Sequence, residues 1–240
     1  MTHSEPARTA LRVAVTGGTS GLGRALVDAF AARGDAVAFV ARDAARVRAV
    51  AAAVPGSHGI VGDVADKDSV HAIALQIGGA LGGLDVLVHN ASTLGPVPLA
   101  LLADTECEDF EQALATNVLG PFSLTKALLG LLASSARESR DRGVVVHVTS
   151  DAAVTPYASW GAYGASKAAF AHLGRIWHEE LAPHSVAVID VDPGDMDTPM
   201  HACAIPDADP ATLKRPRDAA RELIERIDRE RAAPRMADAR

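Results

Sequence analysis

The chain has 240 residues, 48% of them hydrophobic, 4% aromatic and 22% charged, with a formal net charge of −7. That acidic balance argues against nonspecific nucleic-acid binding, which needs a basic face. No apolar run approaches the ~18 residues of a membrane span, and two cysteines, Cys107 and Cys203, make neither a disulfide framework nor a metal site.

Residues 11–16 form an apolar, strand-like run that ends at a glycine cluster. Residues 22–33 have helical periodicity, with Gly34 placed to stop it. Residues 36–41 read as a second strand and 43–54 as a helix rich in Ala and Arg. A third short strand, 58–61, leads through Gly62-Asp63-Val64 into a helix over 66–78, with Asp66 as its N-cap. Residues 84–89 are a fourth strand. A loop over 92–103 carries Gly95, Pro96 and Pro98, and a long helix follows over 105–136, bent or broken near Gly120-Pro121. The valine-rich stretch 143–149 is the most β-like of all. A helix over 162–181, a strand over 185–191, an irregular stretch over 193–216 and a charged amphipathic helix over 217–231 complete the order. Residues 1–10 and 232–240 read as flexible ends.

Strand and helix alternate throughout, which predicts a parallel sheet of six or seven strands with helices on both faces. Right-handed crossovers make this a doubly wound Rossmann fold, here an α/β single domain over 1–240. The Ala, Val and Leu that dominate suit the small aliphatic core of such a sheet. The polar N-terminus lacks an apolar signal core, and two free thiols suit a reducing compartment, so a soluble, cytoplasmic protein is expected.

Thr16-Gly17-Gly18-Thr19-Ser20-Gly21-Leu22-Gly23 joins the first strand to the first helix. Glycines there let the backbone turn tightly and approach a pyrophosphate, and the helix N-terminus offers N–H groups and a positive dipole end. The adenosine ribose should be read at the end of the second strand, where Ala41 supplies no carboxylate. Arg42 either pairs with a 2′-phosphate, which favours NADP(H) over NAD(H), or is a solvated surface charge.

Tyr163 and Lys167 stand four apart on one helix face. A nearby ammonium favours the phenolate, so such a tyrosine can exchange a proton with a carbonyl or alcohol oxygen. Ser150 follows the valine-rich strand at the sheet's carboxyl end, where ligands bind. Asn117 sits inside the long helix, where it either points to solvent or holds a water in a proton path to Lys167.

With these pieces in order, the chain resembles the short-chain dehydrogenase/reductase family. The match spans Thr16 to Thr198: the Thr16–Gly23 turn, Asp63-Val64, His89-Asn90-Ala91-Ser92, Asn117, Ser150, Tyr163 with Lys167, and Pro193-Gly194 followed by Thr198. The resemblance implies an NAD(P)-dependent oxidoreductase with Tyr163 as acid/base. Lys167 would lower the Tyr163 pKa and bind the nicotinamide ribose. Ser150 would orient the substrate oxygen and Asn117 would extend the proton relay. Gly17, Thr19, Ser20, Gly21, Leu22 and Gly23 would cradle the cofactor. Asp63 and Val64 would contact its adenine, Asn90 and Ala91 would line the cleft, and Pro193, Gly194, Met196 and Thr198 would border the nicotinamide.

His89 stands where the family commonly has Asn and Ser92 where it commonly has Gly; His89 reads as a core residue more than a catalytic one. The substrate, a small or medium carbonyl or alcohol, should touch Thr93, Leu94, Asp151, Val154, Tyr157, Trp160, Met200 and His201, beneath a short lid over 195–216. No metal is expected. The 105–136 and 162–181 helices carry apolar residues on more than one face, which suits a homodimer or homotetramer. The rival readings are a noncatalytic NADP-sensing protein on the same fold and a nicotinamide-using isomerase or dehydratase.

Overall fold

The structure, a computed structural model, describes residues 10–234. The expected flexible ends therefore lie outside the described residues except at residue 10 and at 232–234. Six strands form, β1 (Arg12–Thr16), β2 (Ala36–Ala41), β3 (Ser57–Val61), β4 (Val86–His89), β5 (Gly143–Val148) and β6 (Val186–Val191). All pair in parallel, in the order β3-β2-β1-β4-β5-β6. Among the described residues there is no seventh strand.

Among the described residues there are eight α-helices, most of them packed on the two faces: α1 (Gly21–Ala32), α2 (Ala44–Ala53), α3 (Val70–Leu81), α4 (Cys107–Leu114), α5 (Gly120–Ser139), α6 (Gly161–Leu181), α7 (Pro199–Ala204) and α8 (Pro216–Arg231). Successive strand side chains point to opposite faces, and each face has its own core. Val13, Val15, Phe39, Val86 and Val144 pack against Leu26 and Phe30 of α1, Val47 of α2 and Leu223 of α8. Ala14, Ala38, Leu87 and Val145 pack against Ile73 of α3, Leu124 and Leu128 of α5 and Trp177 of α6. Each fully buried leucine here contributes roughly 1.5–3 kcal/mol. Both faces of the sheet are covered, which is why its strands are almost continuously apolar.

Three elements depart from the sequence expectation. The third helix starts at Val70, not Asp66, because Asp66 caps a preceding turn, accepting from the Asp68 N–H and the Ser69 hydroxyl. It runs on to Leu81, where Gly82 at φ +66° ends it. The long helix does not simply bend at Gly120-Pro121: a π turn, Ala115–Leu119, is inserted between α4 and α5, and Pro121 falls in the first turn of α5. The stretch after Pro193 is not wholly irregular, since Thr198 caps the short α7 through the His201 N–H. Arg33, expected to end the first helix, is its C-cap.

The joined stretch Cys107–Ser139 is long and apolar enough in composition to cross a membrane, which the reading of uninterrupted apolar runs missed because Glu108, Asp109, Glu111 and Lys126 break it up. In the fold its α5 part lies on the sheet, with Leu124, Leu128 and Leu132 fully buried. At the carboxyl ends of β4 and β5, His89 and His147 are register partners. His89 meets the Thr125 hydroxyl at 2.8 Å, and His147 stacks on Phe170 with centroids 4.0 Å apart. Burial lowers His147 to about 3 and holds His89 well below the ordinary histidine range, so both are neutral core residues.

Candidate active site

β1 lies between β2 and β4, so the chain reverses its winding direction between β1 and β4 and leaves a crevice at their carboxyl ends. Thr16 ties the two strands: its hydroxyl accepts from the Asn90 and Ala91 N–H groups, both at 3.1 Å. The Asn90 amide donates to the Thr16 carbonyl at 3.0 Å and the Gly17 carbonyl at 3.3 Å. Those bonds hold the glycine turn down onto β4. Gly17 has φ +71°, and a Cβ there would come 2.9 Å from the Asn90 amide nitrogen. Gly23 meets the Gly17 carbonyl so closely that no side chain fits. It therefore packs the turn from behind and does not line the cleft.

The resulting cleft has a volume of about 520 Å³ and runs from the glycine turn to α7. Gly17, Thr19, Ser20, Gly21 and Leu22 line one wall, and Asp63, Val64, Asn90 and Ala91 the next. Ser20 precedes α1 without making a side-chain cap, so the positive end of that helix keeps no internal anion. With glycines that leave no room for a Cβ, this is a cradle shaped for a pyrophosphate, and the residues fit a dinucleotide. At the β2 end stand Arg42 and, unforeseen from the sequence, Arg46. The Arg42 side chain is 70% exposed and lies 4.0 Å from an Asp63 oxygen, so its guanidinium is free to turn toward an anion. Asp43 is occupied in capping α2 through the Ala45 and Arg46 N–H groups.

The reacting end is floored by α6. Tyr163 and Lys167 are both buried there and both line the cleft. Lys167 donates to the Val148 carbonyl at 2.8 Å, and its ammonium lies 5.5 Å from the Tyr163 ring centroid. Burial lowers Lys167 to about 8, against an upward pull from Asp192. Burial pushes Tyr163 up to about 12; its bond with Ser150 pulls it down, and the Asp192 and Asp151 carboxylates raise it further. Burial and the two carboxylates thus set the direction at Tyr163 and favour the neutral phenol, a proton donor.

Asn117 lies in the π turn and is only 1% exposed. Its carbonyl oxygen accepts from the Ser92 hydroxyl at 3.0 Å and the Thr93 N–H at 2.9 Å. Its nitrogen donates to the Thr93 carbonyl at 2.8 Å and the Ser166 hydroxyl at 2.9 Å. Ser166 in turn donates to the Tyr163 carbonyl at 2.7 Å. All four positions of the side-chain amide are filled, so Asn117 does not point to solvent: it braces the loop after β4 against the helix that carries Tyr163. Ser92 finds its use here, as a donor to that amide.

Leu94, Asp151, Trp160, Met200 and His201 line the substrate end, with Pro193, Gly194, Met196 and Thr198 beside them. Thr93 does not line it; its backbone is joined to Asn117. Tyr157 also stands off the cleft, donating to Asp151 at 2.7 Å, and Val154 is 82% exposed on the outer surface. Asp192 was not anticipated as part of the site. Nothing in the sequence distinguishes it from other loop carboxylates until the end of β6 places it in the cleft lining, where its charge acts on Tyr163 and Lys167.

Comparison with known proteins gives this geometry a context. A family model described as short chain dehydrogenase matches residues 12–208. The chain is 34% identical over 191 residues to an uncharacterized short-chain type dehydrogenase/reductase, y4vI, of Sinorhizobium fredii; the match covers 79% of this chain and 33% of that protein. It is 30% identical over 188 residues to the serine 3-dehydrogenase of Agrobacterium fabrum, covering 78% of this chain and 72% of that enzyme. A short chain dehydrogenase from Shigella flexneri, solved complexed with NADP, superimposes with a TM-score of 0.83 at 28% identity, over 91% of this chain and 92% of that one.

Proposed function

Since the chain belongs to the short-chain dehydrogenase/reductase family and is an NAD(P)-dependent oxidoreductase of that family, we propose that it exchanges a hydride between NADP(H) and a small or medium carbonyl or alcohol, with Tyr163 as the proton donor and acceptor. The observation that carries this is the buried Tyr163–Lys167 pair at the floor of a cleft that begins at the glycine turn. When bound, the nicotinamide supplies or takes up the hydride.

The chain's own residues do the rest. The carbonyl carbon gains the hydride while its oxygen takes the Tyr163 proton, which the phenol holds ready. Ser150, whose hydroxyl donates to Asp151 in the structure, stands near enough to act on Tyr163 and would turn that hydroxyl to the same substrate oxygen. Lys167 keeps one N–H on the Val148 carbonyl and has two more for the ribose hydroxyls and for the charge that develops on Tyr163. Asn117 fixes where Tyr163 stands. Arg42 and Arg46 at the β2 end, with Ala41 in place of an acidic residue, support NADP(H) over NAD(H) through a 2′-phosphate. The residues from Asp195 to Pro216 serve as the lid. A homodimer or homotetramer, joined across α5 and α6, is part of the same reading and is supported by Ile176 of α6, exposed at 44%. So is a cytoplasmic setting, supported by free, exposed Cys107 and Cys203.

The test is Tyr163→Phe. Turnover of a carbonyl panel, followed as NADPH absorbance, should fall by about 10²–10⁴-fold, while NADPH affinity by fluorescence titration stays within about twofold. Full activity in the variant would end the mechanism. Absence of carbonyl turnover in the parent, with NADPH still bound, would favour a sensor.

A further inference from the structure

Ser150 follows β5 and caps a single helical turn, Asp151–Ala153, its oxygen accepting from the Ala152 N–H at 3.2 Å. That turn is pressed onto α6. Ala152 is buried in one apolar cluster with Tyr163, and a Cβ at Gly164 would meet the Ala152 carbonyl oxygen at 3.0 Å. Only the bare glycine admits so close an approach. Ser150 is thereby held where it lines the cleft and acts on Tyr163.

The proton of its hydroxyl is already engaged. Ser150 donates to one Asp151 oxygen at 3.0 Å, and Tyr157 donates to the other at 2.7 Å. Those bonds, the Tyr157 one foremost, hold the Asp151 carboxyl below the ordinary carboxylate range. An ionised carboxylate only accepts, so the direction of the Ser150 bond is fixed. A hydroxyl has one proton and two lone pairs. With the proton on Asp151 and one lone pair on the Ala152 N–H, what Ser150 has left for the cleft is a lone pair.

On the reading of this cleft as a hydride-transfer site, we propose that Asp151, steadied by Tyr157, is a positioning residue that holds Ser150 as a hydrogen-bond acceptor and so makes the site favour an alcohol over the matching carbonyl compound. An alcohol accepts from the Tyr163 phenol and donates its own proton to Ser150. A carbonyl compound has no proton to give. It receives the Ser150 proton only when the charge-assisted bond to Asp151 breaks.

Acetone with isopropanol, and cyclohexanone with cyclohexanol, are matched neutral pairs that test this. Each alcohol is titrated calorimetrically into the protein saturated with NADPH and each ketone into the protein saturated with the oxidised cofactor, pairings that cannot react. Asp151→Ala should tighten the ketones and weaken the alcohols, each by about two- to tenfold. Asp151→Asn, which keeps an acceptor of the same shape without the charge, should move both in the same senses by less. In a Ser150→Ala background the Asp151 change should alter neither, because Asp151 acts through that hydroxyl. A merely structural role would weaken both members of a pair together. Parallel shifts, affinities unchanged in both Asp151 variants, or the same effect in the absence of Ser150 overturn the inference. These affinities need no turnover, so they fail or succeed independently of the Tyr163→Phe result.

Discussion

Replacing Lys167 by Met should stabilise the protein near neutral pH while abolishing its activity. The ammonium is buried, and its pKa in the folded chain is about 8 against an ordinary 10.5. At about 1.36 kcal/mol per pKa unit, keeping it charged at pH 7 costs the fold about 3 kcal/mol. Met retains an unbranched stem of similar length but loses the bond to the Val148 carbonyl, a loss of about 1–2 kcal/mol. The net gain is about 1–2 kcal/mol at pH 7, or roughly 2–8 °C in Tm for a chain of this size. The sign reverses with pH. Between about 8 and 10.5 the unfolded chain holds the proton more firmly than the folded one, so the parent gains stability as pH rises through that window. The variant, having no proton to lose, does not. Thermal melts of both proteins at pH 7 and at pH 10.5 should show the advantage of Lys167→Met at the first and its disappearance at the second. A variant less stable than its parent at pH 7, or a difference independent of pH, would refute the reasoning.

Two further substitutions probe the other parts of the cleft. Arg42→Ala should weaken NADPH by about five- to tenfold and leave NADH nearly unchanged in fluorescence titrations; an equal loss for both cofactors would remove Arg42 from the 2′-phosphate. Asn117→Ala strips partners from both polar groups of the Thr93 backbone and from Ser166. It should destabilise by about 2–4 kcal/mol, read as a lower urea midpoint, and an unchanged midpoint would deny the amide its bracing role.

The sheet was legible because period and punctuation agree in it. Residues 36–41 are apolar throughout and bounded by Asp35 and Arg42, and they form β2 without adjustment. The glycine turn was equally plain, since close backbone contacts at Gly17 and Gly23 leave a glycine signature in any sequence. What escaped were features decided by partners far along the chain. Asp66 has every local property of an N-cap, yet its bonds serve a turn. Asn117 carries no sign that Ser92 and Ser166 will meet it. Spacing located Tyr163 and Lys167 but could not show how deeply they are buried, nor that Asp192, 29 residues beyond Tyr163 in the chain, would stand among the charges acting on both. Protonation depends on that three-dimensional surrounding, which the helix alone does not show.

The π turn at Ala115–Leu119 also limits how this protein can change by descent. Such a turn takes up one extra residue locally, so the α-helices on either side keep their register and Leu124, Leu128 and Leu132 stay on the sheet. Removing a residue from it would tighten the turn to α geometry and carry Asn117 away from Ser92, Thr93 and Ser166. The inserted residue and the amide that braces Tyr163 must therefore be inherited together.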